Sequence, residues 1–274
     1  MLTKTVDIGN MYLRANILKG VNKLMRLKSR LILGLMVISI LFFPITAMTA
    51  GHGTAPTGFF TTETLAEFDG IDDNPAYVGY HGRIYDLSDT FEDGSHAGHD
   101  AGMDLTEEFY DAHEAELMEG REIVGYYLSR AMTEEELAQY DGQNDMPAYV
   151  AVDGIIYDGS DTFENGMHFD YEAGQDLTDE FHGQHGEDSL MAMPVVGALV
   201  PYELTLDELA EYDGQDGNDA FVAVDGFIFD VSESFEDGEH FGHEAGQDLT
   251  DEIEDAGHLR SVLPDVPVVG VLVD

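Results

Sequence analysis

One pattern repeats three times with a period of 72 residues in this 274-residue chain, in segments running from Thr64 to His113, from Glu136 to His185 and from Glu208 to His258. A sequence built this way folds as a set of small similar units rather than around one large core. The copies can be compared with each other, so a side chain kept in all three while its neighbours drift marks a shared role. Histidine is kept at two places: His96, His168 and His240, then His113, His185 and His258.

Units of roughly 70 residues bury too little surface to be stable by a wide margin, and natural domains of that size add a staple such as a disulfide, a metal or a bound cofactor. The chain has no cysteine. That excludes disulfides, thiolate metal sites, thioether attachment of a cofactor and a lipid-modified cysteine anchor. A non-covalent ligand is the staple left.

Charge narrows the partners. From Gly51 onward the only basic residues are Arg83, Arg121, Arg130 and Arg260, against 55 acidic residues, for a formal charge of −51. Nucleic acid and anionic membrane surfaces are poor partners on this ground, and no nucleic-acid partner is expected. Acidic excess with no lysine after Lys28 suits a solvated surface in high salt, where the Debye length falls to about 3 Å at 1 M. A halophilic protein is expected. Aromatic and aliphatic residues recur in every copy, which argues against a disordered acidic tail.

Residues 31–47 read LILGLMVISILFFPITA, behind Arg26, Lys28 and Arg30 and ahead of the small residues Ala47, Thr49 and Ala50. Basic, apolar and small residues in that order have the layout of a signal peptide cleaved after Ala50. A retained anchor is the alternative, although 17 residues interrupted by Pro44 fall short of the roughly 20 that span a bilayer. Translation from Met25 would give a more compact signal than translation from Met1. The mature chain is expected outside the cytoplasm, either secreted or tethered to the outer face of the cytoplasmic membrane.

Each copy opens on a helix signal, with capping patterns at Thr133 to Glu136 and Thr205 to Glu208. Two apolar runs follow around Asp153-Gly154 and Asp225-Gly226, with His81-Gly82 in the first copy, and these predict two-residue β-hairpin turns. Gly-rich acidic loops then carry the first histidine. An Ala-Gly-x-Asp-Leu-Thr motif starts a short helix whose end delivers the second, and an apolar run such as PVVGALV at 194–200 closes the copy as a strand. The expected class is α+β: residues 1–50 as signal or anchor, 51–59 as linker, and repeats at 60–128, 132–200 and 204–273.

Tyr/Phe-Asp-x-Ser, then Phe, a histidine segment, Ala-Gly-x-Asp-Leu-Thr and a histidine nine or ten residues past that Asp resemble the cytochrome b5-like haem/steroid-binding family, especially its small prokaryotic members. The resemblance implies three tandem cytochrome b5-like domains, each a small sheet with a helical haem pocket. It implies up to three non-covalent haem b groups held by paired imidazoles. The second ligand of the family maps onto His113, His185 and His258. The usual His-Pro-Gly-Gly is absent, and His96, His168 and His240 take the first-ligand role because they occur in every copy. His99 and His243, matched by Tyr171, are alternative first ligands or pocket-wall groups.

Other chemistries fit less well. Zinc would need a third recurrent histidine or a cysteine. The Asp-rich turns at 69–74, 141–145 and 213–219 lack calcium-loop spacing and read as ordinary turns. His52, His81 and His182 have no counterparts and are assigned no role. Tyr85, Tyr157 and Phe229, with Phe91, Phe163 and Phe235 and with Leu105, Leu177 and Leu249, are core or cavity-lining positions. No nucleophile with a partnered base and no phosphate loop occurs, so an enzyme is not expected. The expected function is electron transfer by an exported multihaem cytochrome, with redox proteins or a membrane electron-transfer chain as partners and self-association allowed. The alternatives are a carrier of haem or a sterol-like ligand, and an acidic structural repeat protein.

Overall fold

The computed structural model describes residues 55–256 and 260–274. The expected signal or anchor, His52 and His258 lie outside these residues. Six α-helices occur among them, two per copy: α1 (Thr62–Ala66) and α2 (Thr106–Ala112), α3 (Glu134–Leu137) and α4 (Thr178–Gln184), α5 (Leu206–Leu209) and α6 (Thr250–Ala256). None is long and apolar enough to cross a membrane.

Each copy builds one five-stranded mixed sheet, and the second shows the plan. Strands Tyr149–Val152 and Ile155–Asp158 form an antiparallel hairpin closed by Asp153-Gly154. Both turn residues have positive φ, 53° and 78°, as a two-residue turn matched to strand twist requires. The closing strand Val195–Leu199 pairs antiparallel with the hairpin and parallel with Ala131–Met132, and Gln175–Asp176 adds parallel on the other edge. Copies one and three repeat the plan on hairpins 77–86 and 221–230.

Alternation along the hairpin gives each sheet two covered faces. Val150, Val152, Ile155 and Tyr157 pack on one side with Phe163 and Ala173, while Ala151 and Ile156 pack on the other with Met132 and Leu137. The helices α1, α3 and α5 are too short to persist alone. Capping boxes at Thr133/Glu136 and Thr205/Glu208 close the latter two, and Leu65, Leu137 and Leu209 anchor all three from fully buried positions, each contributing roughly 2 kcal/mol.

The copies touch one another through polar and apolar contacts. The Val195 amide donates to the His81 carbonyl at 2.9 Å, and the buried Arg83 donates to the Leu190 carbonyl at 2.6 Å, which joins the first copy to the second. Val268 N–H donates to Pro56 O at 3.0 Å, joining the third to the segment that leads into the first. One apolar cluster runs through copies two and three and takes in Phe59 and Leu128.

Candidate functional site

The second histidine of each copy is positioned by the Ala-Gly-x-Asp-Leu-Thr motif. Asp176 Oδ1 accepts hydrogen bonds from the Thr178 amide at 3.0 Å and the Thr178 hydroxyl at 2.6 Å, which starts α4. The Thr178 oxygen in turn accepts from the amide of Asp153 at the hairpin tip, at 2.8 Å. Asp104 with Thr106 and Asp248 with Thr250 make the same three bonds to His81 and Asp225. The hairpin tip therefore sets where the helix begins. About two turns later the chain leaves the helix extended, at His113 (φ −139°) and His185 (φ −124°), both solvent-exposed.

The first histidine sits on structure where the sequence predicts only a Gly-rich loop. Ser95–His96 pairs with His99–Asp100, Met167–His168 with Tyr171–Glu172 and Glu239–His240 with His243–Glu244, each a two-residue β-ribbon. The reason is turn chemistry: a positive φ at Ala97, Phe169 and Phe241 reverses the chain in two residues. His96, His168 and His240 are each half-buried and rest against the Phe five residues earlier, with ring centroids 5.6, 5.4 and 5.3 Å apart. His113 and His185 rest similarly on Phe109 and Phe181 at 5.1 and 5.5 Å.

The two histidines meet. Ring centroids of His96 and His113 are 6.4 Å apart with planes at 33°, and those of His168 and His185 are 6.1 Å apart at 42°. In the second and third copies the first imidazole also has a defined tautomer: Nδ1 of His168 lies 3.3 Å from the Thr162 carbonyl oxygen, and Nδ1 of His240 lies 2.8 Å from that of Ser234. A carbonyl oxygen only accepts, so Nδ1 carries the proton and Nε2 keeps its lone pair. This is the outer hydrogen bond that commonly orients a metal-bound histidine.

The alternative first-ligand positions lie across the ribbon. His99 faces His96 and is exposed, while Tyr171 and His243 face His168 and His240 and are half-buried. The Tyr171 hydroxyl bonds the side-chain amide of Gln184, next to His185. The Asp-rich turns behave as turns, with Asp69, Asp141 and Asp213 each accepting from the amide two residues on at 2.9 Å. Among the described residues no group of three or more His, Asp or Glu side chains is arranged to hold a metal ion. Tyr85, Phe91 and Leu105 are core residues, as are Tyr157, Phe163, Phe229 and Leu249, while Leu177 and Phe235 are partly buried against that core.

Two histidines given no role by the sequence have partners. His81 Nε2 is hydrogen-bonded to the Tyr110 hydroxyl, and burial, helped by Arg83, lowers its pKa below the usual value. His182 Nε2 lies 3.0 and 2.9 Å from the carboxylate oxygens of Asp153. His81 and Asp153 are equivalent positions, as are Tyr110 and His182, so one contact is made by different residues in two copies. The sequence signal was the joint exchange of residues separated by 29 positions.

A metal between two imidazoles, with metal–nitrogen bonds of about 2 Å and about 1.2 Å from nitrogen to ring centre, separates the centroids by about 6.4 Å. The pairs in copies one and two have about that separation, and imidazole is a donor that iron takes. Comparison with known proteins agrees with the fold. The family described as "Cytochrome b5-like Heme/Steroid binding domain" matches residues 133–200 and 205–273. Among solved structures, a Methanococcoides burtonii cytochrome b5 domain protein is 51% identical, covering 26% of this chain and 97% of its own, with a TM-score of 0.26. A Hadesarchaea YNP_N21 cytochrome b5 domain protein is 42% identical over the same shares, with a TM-score of 0.25. No curated protein matches. With half its length matched by the family and the same sheet plan written three times, this chain belongs to the cytochrome b5-like haem/steroid-binding family.

Proposed function

We propose that the protein is an exported cytochrome that carries electrons on up to three haem b groups, one in each copy. The observation that carries this reading is the 6.1–6.4 Å separation of His168 from His185 and of His96 from His113. His96 with His113, His168 with His185 and His240 with His258 would hold the iron, and bound haem supplies reversible one-electron exchange.

The chain's own residues supply position and tautomer. The carbonyls of Thr162 and Ser234 keep the proton on Nδ1 of His168 and His240, so that Nε2 would be the atom to hold the iron. The Phe at 91, 163 and 235 supports each first imidazole, and the Asp-Thr clamp ties the start of each second-histidine helix to the sheet. Because two protein imidazoles in each copy would hold the iron, bound haem would supply exchange of electrons rather than catalysis on a bound molecule. The surface charge of −51 from Gly51 onward favours a basic redox partner or a basic face of a membrane electron-transfer complex. The order of residues before Gly51 supports function outside the cytoplasmic membrane.

The test is the absorption spectrum of purified protein, oxidised and reduced, with haem counted per chain. Three low-spin haems that reduce and reoxidise reversibly are expected. Bound haem that stays in one oxidation state would make the protein a carrier, and absence of haem would end the reading.

A further inference from the structure

We propose that the bond between the hairpin tip and the last turn of the second-histidine helix is a positioning latch, formed by Asp153 and His182 in copy two and by His81 and Tyr110 in copy one. It holds the second imidazole at ligating distance from the first. The proposal rests on the haem-ligand reading given above.

The helix α4 is seven residues long, tied at its first residue by Thr178 and otherwise short enough to fray. His182 lies in its last turn and His185 immediately follows it, with its amide donating to the Phe181 carbonyl at 2.8 Å. Besides a hold at 182, the chain around 185 has that bond, the ring contacts of His185 with Phe181 and His168, and the side-chain bond of Gln184 to Tyr171, all of them at or beyond the fraying end. The Asp153 carboxylate provides the hold, taking His182 Nε2 at 2.9 Å from the same residue whose amide binds Thr178. One hairpin residue thus grips both ends of the helix.

Comparison of the copies argues that this place is used for holding and not for a particular chemistry. In copy one the tip is His81 and the helix residue Tyr110, so the imidazole has moved to the other side of the contact and the bond is still made. The third copy has the same tip residue, Asp225, with a backbone φ of 54° against 53° at Asp153 and His81. There the partner is Arg260, at 2.6 and 3.3 Å, from the 3₁₀ turn that begins two residues after His258 in the sequence. Two side-chain pairs of different charge thus link the hairpin tip to the last turn of the helix, and in the third copy the tip is bonded instead to the 3₁₀ turn that follows.

Two variants of the full chain test this: His182→Ala, and the exchange Asp153→His with His182→Tyr, which installs the copy-one pair. In haem-free protein, hydrogen exchange at the His185 amide should rise in His182→Ala and return to the parent rate in the exchange variant, while Val150 and Ala151 in the sheet keep their protection. In haem-loaded protein, one kinetic phase of haem transfer to an acceptor apoprotein should speed up relative to the parent, with a matching loss of low-spin signal. The exchange variant should restore both. Faster exchange at His185 with unchanged haem release would mean that the helix end frays without consequence for ligation, and the proposal fails. No change in either measurement also overturns it. If the parent protein takes up no low-spin haem, the functional reading falls, and the exchange measurement alone then decides whether the latch orders the imidazole.

Discussion

Arg260 meets Asp225 at 2.6 Å with both side chains nearly withdrawn from water, and the same carboxylate accepts from the Thr61 hydroxyl at 3.1 Å. The Asp225 carboxylate thus joins the third copy to the first while it is held by one of the four arginines after Gly51. Removing one member of a buried pair strands the other, at a cost of about 3–5 kcal/mol. Arg260→Ala should therefore lower stability by about that amount in urea denaturation of haem-free protein. Arg260→Met combined with Asp225→Asn, which removes both charges, tolerates the left-handed backbone at 225 and keeps an acceptor for Thr61, should recover part of it.

Each axial histidine should be separable from the others. His113→Ala and His185→Ala should each remove one low-spin haem signal and leave the rest, because distant sites respond independently. His168→Ala should do the same, since Tyr171 stands across the ribbon from it and offers no second imidazole. In copies one and three His99 and His243 occupy that place. Loss in His168→Ala without loss in His96→Ala and His240→Ala would assign His99 and His243 as the first ligands there. Retention of all signals in both His168→Ala and His185→Ala would remove the ligand assignment altogether.

Phe241 is 90% exposed and has a φ of +47°. A bulky side chain in the left-handed region costs roughly 1–2 kcal/mol and here buries almost nothing in return. Phe241→Asn should stabilise the haem-free protein by about 1 kcal/mol, read from the urea midpoint at constant slope. A loss of stability would mean that the edge contact with His240, at 4.5 Å, outweighs the strain.

Burial holds the His81 imidazole below its ordinary pKa, with the Arg83 charge adding to the effect and Asp104 opposing it. The unfolded chain then binds the proton more readily than the folded one. The neutral ring contributes its full stability above the unfolded pKa of about 6.5, and the contribution is lost as pH falls below that value and through the folded pKa. Between pH 7.5 and 5.5 the haem-free parent should lose more thermal stability than His81→Asn. Equal losses would show that His81 titrates as it does in the unfolded chain.

The charge of −51 implies strong self-repulsion at low ionic strength. The thermal midpoint should rise from low to molar salt. A flat or falling curve would contradict the expectation of a halophilic protein.

By itself the sequence determined what depends on neighbours a few residues apart. The hairpin turns at Asp153-Gly154 and Asp225-Gly226 and the capping boxes at Thr133 and Thr205 are local, and repetition at 72 residues marked the paired histidines and the α+β plan. The ribbon under His168 was harder to read, because its turn uses Phe169 at positive φ where the ordinary turn signal is glycine or asparagine. Only the tertiary structure brought His81 to Tyr110 and Asp153 to His182. At each position taken alone those residues look like drift. The contact spans 29 residues and is kept as a bond rather than as a residue type, and a bond of that kind becomes visible only when the hairpin tip and the helix end are placed side by side.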